Sequence, residues 1–148
     1  MTWHVGAKAS FTKTLGESDV YLFAGITGDL NPAHVDETWA KASRFGGRIA
    51  HGMLTASLIS TVLGMRLPGP GTIYLSQQLK FVAAVRIGET ITAEVEIIEV
   101  LGSKLRLRTT VRTQDGKSVV EGEALVLAPK DDTNSADAGT AHSPKECA

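Results

Sequence analysis

The strongest constraint on the fold is the apolar segment from Gly52 to Leu67, which shows no clearly polar side at helical spacing. The segment is short for a bilayer crossing and contains several hydroxyl side chains and Arg66, so it does not suit a membrane span. A helix that is apolar nearly all round is usually enclosed by protein on several faces. The sequence therefore predicts a central helix buried within a domain.

After this segment the apolar pattern changes to a period of two, which is typical of β-strands. The breakers from Pro68 to Gly71 separate the two patterns. Residues of one parity are mostly apolar in three runs: Ile73 to Phe81, Ile91 to Ile97, and Leu105 to Thr113. Asp115-Gly116 predicts a hairpin turn into a fourth strand, residues 117 to 127. The other parity is rich in charge, which predicts one antiparallel sheet with a solvated face and a covered face.

Three shorter elements are predicted before the central helix. Residues 8–15 alternate weakly and indicate an edge strand. A helix opens at Glu17 or Ser18 and carries an apolar stripe up to Thr27, where Gly28 ends it. Asp36 is the predicted N-cap of a short helix that runs to about Ser43.

Length and charge narrow the classes of function. A chain of 148 residues suits one domain, predicted here over residues 1–128, and the polar segment 129–148 is predicted to be a disordered tail. A net charge of -1 provides no general basic field for nucleic acid or a membrane surface. The only cysteine, Cys147, lies in that tail, and no secretory signal is seen at the N-terminus. The reducing cytoplasm is the expected location.

The candidate catalytic residues lie between Thr27 and His34. Asp29 and His34 are five positions apart, and Pro32 between them disfavours helical geometry at Asn31, so the segment is predicted to be an ordered loop. A carboxylate and an imidazole on such a loop can act on a single water molecule. The same residue types are ordinary turn formers, so a purely structural loop stays open at this point.

Other motifs of known chemistry are missing from the sequence. It contains no paired cysteine and histidine spacing of a metal site, no Gly-x-Ser-x-Gly elbow, and no glycine-rich phosphate loop before a helix. No metal site is therefore predicted.

Together with the predicted elements around it, the segment from Thr27 to His34 resembles the signature of the MaoC-like, R-specific enoyl-CoA hydratases, the hydratase 2 family. The match runs from Phe23 to His34 and on to the small Ala40, and two further blocks follow at 51–60 and 68–81. Ala33 departs from the family, which usually carries a larger aliphatic residue there. The resemblance implies an α+β hot-dog fold, in which a curled antiparallel sheet wraps a long central helix, and it implies a homodimer.

The resemblance also implies the chemistry. The family reaction is the reversible hydration of trans-2-enoyl-CoA to (R)-3-hydroxyacyl-CoA, which can link β-oxidation to polyhydroxyalkanoate synthesis. It implies that Asp29 and His34 are catalytic and that the amide of Gly52 binds the thioester oxygen. Ser60 is expected near the catalytic aspartate and Asn31 is expected to order the loop. CoA belongs to the substrate, so no separate cofactor is implied. His51 is expected to be structural and to fix the loop.

Two other enzymes and a binding protein compete with this hypothesis. A dehydratase acting on acyl-carrier-protein thioesters would use the same residues. A hot-dog thioesterase usually has a carboxylate on the central helix, and residues 52–67 contain none. A non-catalytic acyl-thioester-binding protein would be favoured by replacement of Asp29 or His34, and both are present. Four cations remain unranked as ligands of the CoA phosphates: Arg44, Arg48, Lys80 and Arg86.

Overall fold

Five strands form one antiparallel sheet that packs around a central helix. The computed structural model describes residues 2–130. The strands are β1 Lys8–Thr14, β2 Ile73–Phe81, β3 Thr90–Leu101, β4 Lys104–Thr113 and β5 Ser118–Leu127. They are ordered β1-β3-β4-β5-β2 across the sheet. The helices are α1 Glu17–Thr27, α2 Pro32–Val35, α3 Glu37–Ala42 and α4 Gly52–Met65. The predicted α+β hot-dog architecture is confirmed.

The core lies between α4 and the inward faces of β3 and β4. Every second residue of these strands is fully buried, as the period of two predicts: Ile91, Ala93, Val95 and Ile97 on β3, and Leu105, Leu107 and Val111 on β4. They pack against one side of α4, where Ile59, Val62 and Leu63 are almost completely buried. Apolar burial of this kind supplies most of the stability of the domain.

Two predictions about burial are wrong for the described chain. The central helix is not enclosed on several faces, because Met53, Ser57 and Ser60 lie exposed along one side of α4. Strand β2 does not have one covered face, since most of its residues of both parities are exposed. Both surfaces lie at the β2 edge of the sheet, where no further strand of residues 2–130 follows.

The short elements before α4 largely follow their predicted boundaries. The amide of Gly16 donates to Asp19 Oδ2 at 2.8 Å at the start of α1, and this bond holds the pKa of Asp19 below its ordinary value. Asp36 caps α3 by accepting from Trp39 N at 3.0 Å. The predicted loop before it is partly wrong, because Pro32 opens the one-turn helix α2. Proline is tolerated there, since the first helical residue needs no intrahelical amide donor.

The chain termini add little to this description. The predicted tail, residues 129–148, lies outside the described residues except for Pro129 and Lys130. Within residues 2–130, no helix has both the length and the apolar character needed to cross a bilayer.

Gly122 on β5 is expected to be intolerant of any side chain. A Cβ atom at this position would lie 1.9 Å from the backbone oxygen of Gln78 on the neighbouring strand β2. Gly122→Ala should therefore force the two strands apart and lower the free energy of unfolding by about 3 kcal/mol or more. Urea denaturation measures this change.

Gly25→Ala is the matched control for that experiment. Gly25 lies in α1, where an added Cβ would meet nothing within 4 Å. Alanine is the better helix former by about 1 kcal/mol, so this variant should be as stable as the wild type or more stable. Equal stability of both variants would contradict the close strand approach at Gly122.

Candidate active site

Three consecutive side chain to backbone bonds fix the loop that carries Asp29. Gly28 ends α1 in the left-handed region, with φ of 79°, and so turns the chain. Asp29 N then donates to Thr27 Oγ1 at 3.2 Å. Asp29 Oδ1 accepts from Asn31 N at 3.1 Å, and Asn31 Oδ1 accepts from Ala33 N at 3.1 Å. The Asp29 side chain lies at the surface of the protomer with its backbone held in place.

His34 has one ring nitrogen fixed and one left for chemistry. Its Nδ1 lies 2.7 Å from the carbonyl oxygen of Ile49 in a buried hydrogen bond. A carbonyl can only accept, so Nδ1 carries the hydrogen and Nε2 of the neutral ring carries a lone pair. The residue is only 8% exposed. Neutral His34 is therefore oriented as a proton acceptor through Nε2.

His51 packs beside His34 and holds the Asp29 loop. Its Nε2 lies 2.9 Å from the carbonyl oxygen of Asp29, to which it donates. The rings of His51 and His34 have centroids 3.8 Å apart and planes inclined by 31°. Phe23 covers His51 from α1, with ring centroids 4.9 Å apart. His51 thus fixes the loop, as predicted.

The three ionisable side chains form one cluster. Single ligand atoms of Asp29, His34 and His51 all lie within 4.8 Å of one another. The set is one that can in principle hold a divalent ion. One nitrogen of each imidazole is already bonded to a backbone carbonyl, however, and the two rings are stacked at 3.8 Å. This arrangement suits proton transfer at His34 better than coordination of a metal.

Gly52 opens α4 at the wall of a cavity of about 310 Å³ that His34 also lines. The first helical bond runs from Thr55 N to His51 O at 3.1 Å, so the amide of Gly52 has no intrahelical acceptor. A Cβ at Gly52 would lie 2.9 Å from the ring of Phe81. The absence of a side chain therefore keeps this amide and the positive end of the helix dipole accessible.

Ser60 lies apart from this cavity within the protomer. It is exposed on α4 and lines a different groove of about 420 Å³, together with Met53, Tyr74 and Leu75. The structure thus brings Asp29 close to His34 and places His34 and Gly52 on one cavity, with Asn31 in the loop of Asp29. The expected position of Ser60 near the catalytic aspartate stays a prediction.

Arg48, one of the four cations considered as ligands of the CoA phosphates, already forms two ion pairs. It pairs with Glu37 at 2.8 Å and with Glu17 at 2.5 Å, and these two carboxylates raise its pKa. This arginine ties α1 and α3 to the segment before α4. Arg44, by contrast, lines the cavity of His34 and lies 5.2 Å from the ring centroid of Phe45.

The sequence did not point to two residues of the site, Thr55 and Phe81. Thr55 is buried and contributes to the cavity lining, and the available signal was its position four residues after His51. Phe81 comes from the end of β2, and its contact with Gly52 depends on how the sheet bends around α4. No local pattern in the sequence carries that information.

Comparison with known proteins identifies the family. The family model described as "MaoC like domain" matches residues 4–122. The chain belongs to the MaoC-like family. The family predicted from the motif around Asp29 is therefore confirmed.

Several MaoC-like relatives cover most of this chain. An (R)-specific enoyl-CoA hydratase of Rhodospirillum rubrum is 56% identical over 126 residues, which are 84% of this chain and 87% of that protein. A 3-hydroxybutyryl-CoA dehydratase of Methylorubrum extorquens is 50% identical over 127 residues, 85% of this chain and 81% of that protein. The solved (R)-hydratase from A. caviae, involved in PHA biosynthesis, superposes with a TM-score of 0.84 at 42% identity. It covers 86% of this chain and 98% of its own.

Asn31 is expected to stabilise the loop through its side-chain oxygen. Asn31→Ala removes the acceptor for Ala33 N and should lower the free energy of unfolding by about 1 kcal/mol. Asn31→Asp keeps an acceptor in the same place and should stay within about 0.5 kcal/mol of the wild type. Urea denaturation curves compare the two, and equal losses would contradict a capping role.

Proposed function

We propose that this protein catalyses the reversible hydration of trans-2-enoyl-CoA to (R)-3-hydroxyacyl-CoA. The observation that carries the proposal is the approach of the Asp29 carboxylate to the His34 imidazole, which lines one cavity together with Gly52. The relatives that are at least 50% identical are named for hydration of an enoyl-CoA and for dehydration of a hydroxyacyl-CoA. These are the two directions of one reaction.

In the proposed mechanism His34 moves the proton. Water adds through its oxygen to C3 of the enoyl group while one of its protons passes to Nε2 of His34. The electron pair of the C2–C3 double bond moves towards the thioester oxygen, and C2 then takes the proton from His34. We assign the base to His34 because the Ile49 carbonyl fixes Nδ1 and leaves the lone pair on Nε2, whereas Asp29 Oδ1 already accepts from Asn31 N. The Asp29 carboxylate accepts the second hydrogen of the water and orients it.

The backbone amide of Gly52 completes the proposed mechanism. As charge grows on the thioester oxygen, this amide and the dipole of α4 stabilise it. CoA enters as part of the substrate, and the mechanism uses no separate cofactor. Within the described residues α4 carries no Asp or Glu, which removes the support for a thioesterase.

The (R)-3-hydroxyacyl-CoA product suggests the pathway to which the reaction belongs. The A. caviae protein is named as involved in PHA biosynthesis, and we propose the same use for the (R)-3-hydroxyacyl-CoA formed here. A location in the cytoplasm goes with this proposal. The single cysteine of the chain suits a reducing compartment.

We also propose that the protein works as a homodimer built on β2. This strand is an edge of the sheet, with β5 as its partner on one side. Its exposed apolar residues include Ile73, Leu75 and Phe81, which are 54%, 45% and 50% exposed. A long apolar edge favours pairing with another strand, and a second copy of β2 provides one with twofold symmetry. The groove that contains Ser60 would then be covered.

Leu75→Glu is expected to weaken this dimer, because it places a charge in the middle of the proposed apolar interface. Light scattering should give twice the protomer mass of 15.7 kDa for the wild type and a lower average mass for the variant. Val100→Glu is the control, since Val100 is similarly exposed, at 40%, on β3. A monomeric wild type would contradict the proposal.

Asp29→Asn and His34→Gln are each expected to fold normally and to lose about a hundredfold or more in kcat, because each removes a group that contacts the reacting water. The assay follows loss of enoyl absorbance with crotonyl-CoA, coupled to an R-specific 3-hydroxyacyl-CoA dehydrogenase that reports product handedness.

Asp36→Asn and His4→Gln are the controls for that assay. Asp36 caps α3, and asparagine caps a helix equally well, while His4 lies near the N-terminus outside the cluster. Both variants should keep wild-type turnover. Full activity in Asp29→Asn or His34→Gln, or an S product from the wild type, would overturn the proposed function.

A further inference from the structure

The His51 side chain is held by ring contacts as well as by its hydrogen bond to the Asp29 loop. It is only 2% exposed and lies between the rings of His34 and Phe23. Because its Nε2 donates to the Asp29 carbonyl, the neutral ring carries its lone pair on Nδ1. This Nδ1 is buried and has no hydrogen-bond partner among the described residues. Buried polar atoms are paired in the great majority of cases, so this acceptor needs an explanation.

Thr55 offers the complementary group. It is also only 2% exposed, and its Oγ1 is the other buried side-chain atom left without a partner in the described chain. Thr55 lies one helical turn after His51, and its amide already donates to the His51 carbonyl at 3.1 Å. Thr55 belongs to the first turn of α4, which begins directly after His51. A hydroxyl can donate, which is what Nδ1 requires.

We infer that His51 is a positioning residue for the Asp29 and His34 pair, with the Thr55 hydroxyl as the donor to its Nδ1. Neither atom has a partner in the described structure, so this bond requires a change in the side-chain rotamer of Thr55. The hydrogen bonds would then run from Thr55 to His51 and from His51 to the backbone of Asp29. This inference rests on the proposed function, because it assigns His51 and Thr55 to that same site.

The arrangement also bears on the proton transfer proposed at His34. A proton on Nδ1 would place a positive charge against the ring of His34, whose centroid is 3.8 Å away. His34 has to accept a proton from water in the proposed reaction, and a neighbouring positive charge opposes that step. A donor at Nδ1 occupies the lone pair and keeps the hydrogen of His51 on Nε2. His51 thus positions Asp29 and leaves His34 as the proton carrier.

Two substitutions of His51 separate the hydrogen bond from simple packing. His51→Gln places an amide nitrogen close to where Nε2 lies, so it can still donate to the Asp29 carbonyl. His51→Asn places its amide nearer to the position of Nδ1 and cannot. We expect His51→Asn to lose about a hundredfold in kcat with little change in KM. His51→Gln should recover at least a tenth of the wild-type kcat. Equal kcat values in the two variants, whether high or low, would overturn the role of this donor.

Thr55 is tested with one isosteric variant and one variant that keeps the hydroxyl. Thr55→Val removes the hydroxyl and keeps the shape, and Thr55→Ser keeps the hydroxyl. We expect kcat to fall about tenfold in Thr55→Val and to stay near the wild type in Thr55→Ser. Wild-type kcat in Thr55→Val would overturn the assignment of Thr55.

Nitrogen-15 NMR of the full-length protein tests the inference without an activity assay, and it applies even if a His51 variant fails to fold. The two-bond spectrum of the histidine rings should show His51 protonated at Nε2 only at neutral pH. Thr55→Val should shift the Nδ1 resonance. A hydrogen on Nδ1 of His51 in the wild type would overturn the inference. A wild type that shows the Nε2 form but does not hydrate crotonyl-CoA would contradict the proposed function alone.

Discussion

The packing of α4 against β3 and β4 determines where the chemistry can occur, because α4 begins with the residues that the site needs. His51 is the residue before its first turn and Gly52 is the first residue within it. Burial of Ile59, Val62 and Leu63 anchors the helix further along. A shift of α4 along its axis would move both His51 Nε2, which donates to the Asp29 carbonyl, and the amide of Gly52. A change in the core packing of α4 would therefore also change the geometry of the site.

Two backbone carbonyls set the orientation of the two histidines. Ile49 O accepts from His34 and Asp29 O accepts from His51, and in each case the carbonyl decides which nitrogen keeps the lone pair. Asp29 lies outside every helix and strand, and Ile49 forms only an isolated bridge with Arg86. These two backbone carbonyls, which lie in irregular segments around the site, are thus hydrogen-bonded by the side chains of His34 and His51.

The sequence predicted those features that depend on local patterns. Alternation located β2, β3 and β4, the Asp115-Gly116 turn located β5, Gly28 marked the end of α1, and Asp36 marked the start of α3, since each rests on residues a few positions apart. The contact of Phe81 with Gly52 depends on how distant strands curve, so no local pattern contains it. The exposed side of α4 was misjudged for a related reason. Met53 is apolar, and its surroundings depend on what lies beyond the sheet edge.

The order of strands in the sheet has a consequence for how the protein folds. Strands β3, β4 and β5 follow one another in sequence and in space, whereas β1 and β2 join the two outer edges from earlier in the chain. Contacts between neighbouring segments form faster than those that close long loops. We expect the three-stranded meander to form first and the N-terminal half to assemble on it afterwards. Every residue assigned to the site comes before β3, so catalytic competence is acquired late, on a scaffold that contributes no residue to the chemistry.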